Sequence, residues 1–173
     1  MRLAGYDYAE EGAYFVTLVT QGREVLFGHV ENGKMVLNAF GRIVKEEWEK
    51  TGAIRDQVKI ADDEFCVMPN HFHGIIWLFG RDTARRVPTE SDGLVHKAEF
   101  GKPVSNSLST IIGAFKSSVT RRINRLRNTP GAIVWQGRFY DHIIRDERDY
   151  YSIAEYIDLN PLNWEKDEEF PQD

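Results

Sequence analysis

Residues 71–78 read His-Phe-His-Gly-Ile-Ile-Trp-Leu and follow directly on Met68-Pro69-Asn70. An apolar run of this length, rich in β-branched and aromatic residues, reads as a buried strand. Successive side chains on a strand point to opposite faces. Phe72 is therefore committed to one face, where it can anchor in a core, and His71 and His73 to the other. Two imidazoles held on one side of a strand offer a divalent metal two nitrogen ligands. Two unrelated histidines at a strand edge would look the same, so the rest of the chain has to decide between these readings.

A chain of 173 residues with 42% hydrophobic content fits one domain with a real core. No stretch approaches 18 apolar residues and no signal-peptide pattern opens the chain, so the expectation is a cytoplasmic protein with no membrane partner. A lone cysteine, Cys66, rules out an internal disulfide framework and Cys-rich zinc modules. The net charge of -5 argues against a nucleic-acid partner until its distribution is seen. From Phe100 to Tyr140 there is no acidic residue, while Lys102, Lys116, Arg121, Arg122, Arg125, Arg127 and Arg138 give +7 and leave -12 for the remainder. A single-sign stretch in an acidic protein is a directed field suited to phosphates, although a solvated helix face would look similar.

Tyr14–Thr20 predicts a first strand. Glu31-Asn32-Gly33-Lys34 lies between two short apolar runs and predicts a hairpin, because Asn and Gly tolerate the positive φ of a type I′ turn. Phe40, Val44 and Trp48 then repeat at helical spacing behind Asn38, a natural N-cap. Val58–Met68 and His71–Leu78 predict two strands joined by Pro69-Asn70. Residues 79–104 show no period and predict a flexible insertion. Leu108, Ile111, Ile112, Phe115, Val119, Ile123 and Leu126 mark the clearest helix, which Ser107 would cap. Ile133–Trp135 suggests a short strand, and a last helix runs from Arg145-Asp146 to Asn160-Pro161. This order predicts an α+β fold, a single domain with one antiparallel β-sheet and helices packed against it.

The last helix carries Tyr156 and Asn160, which at i and i+4 share one face. Facing the histidines, the Asn160 amide would be a third metal ligand and Tyr156 would hold its hydroxyl beside whatever the metal polarises. A half-buried amphipathic tyrosine and a C-terminal cap are the plainer readings. Tyr150 and Tyr151 are rivals for any tyrosine role.

Several ordered motifs raise the specificity. Arg2-Leu3, Gly5-Tyr6-Asp7-Tyr8, Gly12–Thr17, Val67–Gly74, Gly113–Lys116, Val134–Gln136, Tyr140–Arg145, Glu155–Ile157 and Asn160-Pro161 together resemble the single-tyrosine HUH transposases (IS200-like), and most of all their REP-associated tyrosine transposase branch. The resemblance spans residues 2–164 and leaves 165–173 as an acidic C-terminal tail. It implies a ferredoxin-like sandwich, a metal site at His71, His73 and Asn160, and Tyr156 as nucleophile. It also implies Mg or Mn as cofactor, and cleavage and rejoining of single-stranded DNA beside a hairpin or palindromic repeat. Zn is not excluded by ligand type. Monomer and homodimer both remain open.

On this reading Lys116, Arg121, Arg122, Arg125 and Arg138 would contact DNA. Arg121, Arg122 and Arg125 are expected on one side of their helix, and Trp135, Phe139 and Tyr140 are candidates for stacking on bases. His142 is expected to play a structural part. The alternatives are a domesticated hairpin-DNA-binding protein without cleavage, a relaxase or replication initiator, and a small-molecule metallohydrolase. The last would want more carboxylates near the histidines than Asp62, Asp63 and Glu64 supply.

Overall fold

Strand β1 (Gly12–Val19) is the axis of the fold, pairing antiparallel with β6 (His71–Leu78) on one edge and β7 (Tyr140–Ile144) on the other. The computed structural model describes residues 11–79 and 107–171. The motif from Arg2 to Tyr8, Lys102, nearly all of the expected insertion at 79–104 and the last two residues of the acidic tail lie outside the described residues. On the far edge of β6 sit β4 (Val58–Lys59) and β5 (Phe65–Val67), so the sheet runs β4-β6-β1-β7 with β5 also on β6. The chain order is β1, the hairpin β2 (Gly28–Glu31) and β3 (Lys34–Leu37), α1 (Ala39–Ala53), β4 to β6, α2 (Leu108–Leu126), β7, then α3 (Glu147–Leu159). This is an α+β single domain with an antiparallel sheet and packed helices.

Local chemistry sets these boundaries. The β2–β3 turn is Asn32-Gly33, both at positive φ, with Glu31 paired to Lys34. Asn38 caps α1 by accepting from the Phe40 and Gly41 N–H groups, and its amide donates to the Leu26 carbonyl. Ser107 caps α2 through the Thr110 N–H, and Asp146 caps α3 through the Asp149 N–H. Glu147 and Asp149 place negative charge in the first turn of α3, where the helix dipole favours it.

Strand parity divides the protein into two layers. Tyr14, Val16, Leu18, Phe72 and Ile76 face α1 and α2, where Trp48, Ile112, Phe115 and Val119 close the main core. Ala13, Phe15 and Ile75 face the other way, against Ile157 of α3. Polar contacts also hold α3 in place. The buried Glu64 carboxylate accepts from the Tyr150 hydroxyl and from Trp77 Nε1–H, both at 2.8 Å, and Asp149 lies 2.9 Å from His142 Nε2.

Three sequence expectations are corrected. The strand expected over Val58–Met68 is two short strands, because Asp62 and Asp63 are poor strand formers and the chain turns there, the Glu64 N–H bonding the Ala61 carbonyl. The strand expected at Ile133–Trp135 is a single bridge between Trp135 and Thr20. The strand β7 was not expected from the pattern, since Asp141 and His142 interrupt its apolar run.

Gly74 sits on β6 where Trp48 crosses the sheet, and an added Cβ would lie 2.8 Å from Trp48 Cζ2 and 2.9 Å from the Phe72 ring. Gly74→Ala is expected to cost about 1–3 kcal/mol through overpacking, read as a lower denaturant midpoint at unchanged m-value.

Candidate active site

His71 and His73 lie side by side on the α3 face of β6, fully buried or nearly so, with ring centroids 4.5 Å apart. A neighbour orients each ring. Thr17, the cross-strand partner of His73 in β1, places its Oγ1 2.8 Å from His73 Nδ1. Asn70 Oδ1 lies 2.9 Å from His71 Nδ1. The two Nε2 atoms are left to face the site. His73 Nε2 is 3.3 Å from the Tyr156 hydroxyl, and His71 Nε2 is buried without a hydrogen-bond partner.

The tyrosine helix α3 brings Tyr156 and Asn160 to this point. The Tyr156 ring packs edge-on against Phe15, 6.1 Å between centroids, and against His73 at 5.1 Å. Asn160 ends α3 and is buried. Its Nδ2 donates to Asp167 Oδ2 at 2.9 Å, which leaves Oδ1 buried and without a partner. Tyr150 instead bonds Glu64, and Tyr151 is exposed beside it, so neither rival tyrosine reaches the histidines.

Sequence reasoning missed Asp167. It was counted with the acidic tail, yet residues 164–170 fold back over the histidines. Trp164 packs 5.7 Å from the His71 ring and 5.0 Å from Phe170, and Glu169 pairs with Arg23 at 2.8 Å. Asn70 Nδ2 donates to the Glu169 carbonyl. Asp167 Oδ2 thereby comes within 3.5 Å of the Tyr156 hydroxyl, and one ligand atom each from His71, His73 and Asp167 lies within 4.8 Å of the others. No periodicity marks this approach; the seven-residue spacing from Asn160 is its only trace in the sequence.

The donor set fits a divalent cation. Buried polar groups ordinarily find partners, yet His71 Nε2 and Asn160 Oδ1 have none and flank a carboxylate. Two imidazoles, an amide oxygen and a carboxylate form a mixed nitrogen and oxygen set of the kind first-row divalent ions accept. Burial pushes His71 down to about 4, against the opposing pull of Asp167 and Asn160. Burial, then the neighbouring His71, hold His73 well below the ordinary histidine range. Both rings are therefore neutral at neutral pH, with lone pairs available for a metal. Burial, then the Asp167 and Glu168 carboxylates, push the Tyr156 hydroxyl up to about 12.

The basic residues are engaged differently. Arg121, Arg122 and Arg125 share a side of α2, but Arg122 bridges to α1 through Glu46 at 2.6 Å and Glu47 at 2.9 Å. Lys116 donates to the Gln136 and Gly137 carbonyls. Arg121 and Arg125 line a groove of about 830 Å³ between α2 and residues 130–137. Arg138 lines a second cleft, which reaches Thr17. His142 Nε2 lies 2.9 Å from Asp149 Oδ2 at the start of α3.

Protonation of the buried histidines gives a pH prediction. A histidine with a folded pKa near 4 against 6.5 when unfolded loses stability as pH falls through that window. With chelator present, wild-type stability should fall between pH 6.5 and 4 more steeply than that of His71→Gln, read by urea midpoints. In calorimetric titration with Mn, His71→Ala should lose binding and Asp167→Asn should weaken it at least about tenfold.

No protein-family model matches the chain. An uncharacterised protein of Haemophilus influenzae is 40% identical over 169 residues, covering 97% of this chain and 90% of that protein. A second Haemophilus influenzae protein, provisionally described as a REP-associated tyrosine transposase, is 24% identical over 157 residues, or 90% of this chain and 73% of that one. The solved structure of a REP-associated tyrosine transposase bound to a REP hairpin superposes with a TM-score of 0.59 at 20% identity, covering 95% of this chain and 74% of that chain. The chain belongs to one family with the uncharacterised Haemophilus influenzae protein, and is a distant relative of the REP-associated tyrosine transposases.

Proposed function

We propose that this protein cleaves and rejoins single-stranded DNA next to a hairpin through a covalent tyrosine intermediate. The observation that carries the reading is the convergence of the Tyr156 hydroxyl on His73 Nε2, beside His71, Asn160 and Asp167. The strand order β4-β6-β1-β7, with β1 and β6 central, supports the ferredoxin-like plan on which this reading rests. The hairpin partner is drawn from the distant relative whose structure holds a REP hairpin.

Tyr156 would attack the scissile phosphorus in line. Its Oη–P bond forms as the P–O3′ bond breaks, leaving a 5′-phosphotyrosine and a free 3′-hydroxyl. The tyrosine proton has Asp167 Oδ2 within 3.5 Å as an acceptor, and the leaving 3′-oxygen takes a proton from water. Attack of another 3′-hydroxyl on the phosphotyrosine restores both the tyrosine and a DNA phosphodiester, with no nucleotide consumed. His71, His73 and Asn160, joined by Asp167, would hold Mg or Mn, which supplies Lewis-acid stabilisation of the phosphate oxygens when bound. Thr17 and Asn70 fix the imidazole rings so that each presents Nε2. Arg121 and Arg125 line their groove without an ion pair among the described residues and would bind backbone phosphates, with Arg138 meeting the strand in the cleft that reaches Thr17.

A second reading, a hairpin-binding protein that does not cut, is favoured by one contact. Asp167 sits against Tyr156 and Asn160, where a phosphate would have to enter.

End-labelled single-stranded hairpins from the flanks of the gene separate the two readings. A metal-dependent adduct on a denaturing gel, absent in Tyr156→Phe and His71→Ala, is the expected result. Tight binding with no adduct from the wild-type protein would leave the non-cutting reading in its place. In the same assays Arg121→Ala with Arg125→Ala should weaken binding and reduce the salt slope by about two.

A further inference from the structure

We infer that the cleft beside Thr17 receives the nucleobase adjacent to the phosphate that Tyr156 attacks, with Tyr140 as its stacking platform. The inference rests on the proposed function and names a contact that the metal and the nucleophile do not supply.

Tyr140 opens β7 opposite Thr17, on the same face of the sheet as the histidines. Its ring meets Phe15 edge-on at 6.3 Å, and Phe15 in turn lies 6.1 Å from Tyr156 and 5.4 Å from His73. Tyr140 and Tyr156 thus flank one buried ring, a single aromatic apart. The cleft over Tyr140 has a volume of about 680 Å³, within the range of small-ligand sites, and is lined also by Thr17, Gln136, Arg138, Asp141 and Glu169.

Exposure separates Tyr140 from the other aromatics nearby. Trp135 is buried against Phe27 and Phe115, and Phe139 packs on the main core. Tyr140 is 51% exposed on the site face of β7, so among the described residues its ring is open to a ligand in the cleft. The lining also selects which part of a nucleotide enters. Asp141 and Glu169 set two carboxylates beside the single cation Arg138, so the lining carries no positive surplus for a phosphate, whereas a neutral base gains from stacking on a tyrosine face. The neighbouring groove, with Lys116, Arg121 and Arg125 and no acidic residue in its lining, is basic by contrast and shares Gln136 and Gly137 with this cleft. A strand running from one to the other would put its backbone on the arginines and turn a base onto Tyr140 beside the nucleophile.

The test uses full-length protein and single-stranded hairpins from the gene's own flanks, with 2-aminopurine placed in turn at each unpaired position. One position should be quenched by wild type and by Tyr140→Phe, which keeps the stacking ring, but not by Tyr140→Ala or Tyr140→Leu. Removing the base at that position should weaken wild-type binding roughly tenfold, with no further loss when Tyr140→Ala is added. If the adduct on Tyr156 still forms while every 2-aminopurine signal is indifferent to Tyr140→Ala, the subsite is overturned and the strand-transfer reading stands. If wild type neither binds nor reacts with any hairpin, the functional reading falls and the subsite falls with it.

Discussion

The register between β1 and β6 is the constraint on which the site depends. Thr17 stands opposite His73, Leu18 opposite Phe72 and Val19 opposite His71. Because side chains alternate, a slip of one residue would turn both imidazoles into the helix-packed core and Phe72 out of it. Phe72 prevents the slip. Fully buried between Trp48 and Phe115, it ties the parity of β6 to the largest apolar cluster in the protein. The alignment that stabilises the core thus also aims the imidazole nitrogens of His71 and His73. Thr17 completes the arrangement from the neighbouring strand by holding the His73 ring.

Features encoded within a few residues were legible in the sequence. The alternation of His71, Phe72 and His73, the Asn32-Gly33 turn, the caps Asn38 and Ser107, and the shared helical face of Tyr156 and Asn160 all follow from spacing and local hydrogen bonding. The parts that were not legible depend on groups far apart in the chain. Glu47, 75 residues away on α1, ties up Arg122 in an ion pair that nothing in the local spacing of Arg121, Arg122 and Arg125 announces. Asp167 looks like one more acid in a charged tail until Trp164 and Phe170 bring the segment down over His71. The strand β7 is held by pairing with β1 rather than by any apolar alternation of its own.

The electrostatics of the site are unusual for so small a space. Two neutral imidazoles, an amide oxygen without a partner and a carboxylate are brought together beside a phenol that burial and negative charge keep protonated. Each of these groups would be better satisfied by the same thing, a positive charge at the point they share. Desolvation makes that preference stronger than it would be at the surface. The closing segment contributes to both sides of this balance, since it supplies the carboxylate and shields the histidines from water.

The seat of α3 also has a kinetic meaning. Of its residues Ile157 alone is buried, and its start is held by Glu64 and His142 rather than by a wide apolar face. Helices docked so lightly open at a fraction of the free energy needed to unfold the domain, and their amides exchange with solvent sooner than those of the central strands. The histidines, on β6, would stay fixed through such an opening while the tyrosine left and returned. The two halves of the site thus belong to parts of the protein with different lifetimes, one as durable as the sheet and one renewed each time the helix settles.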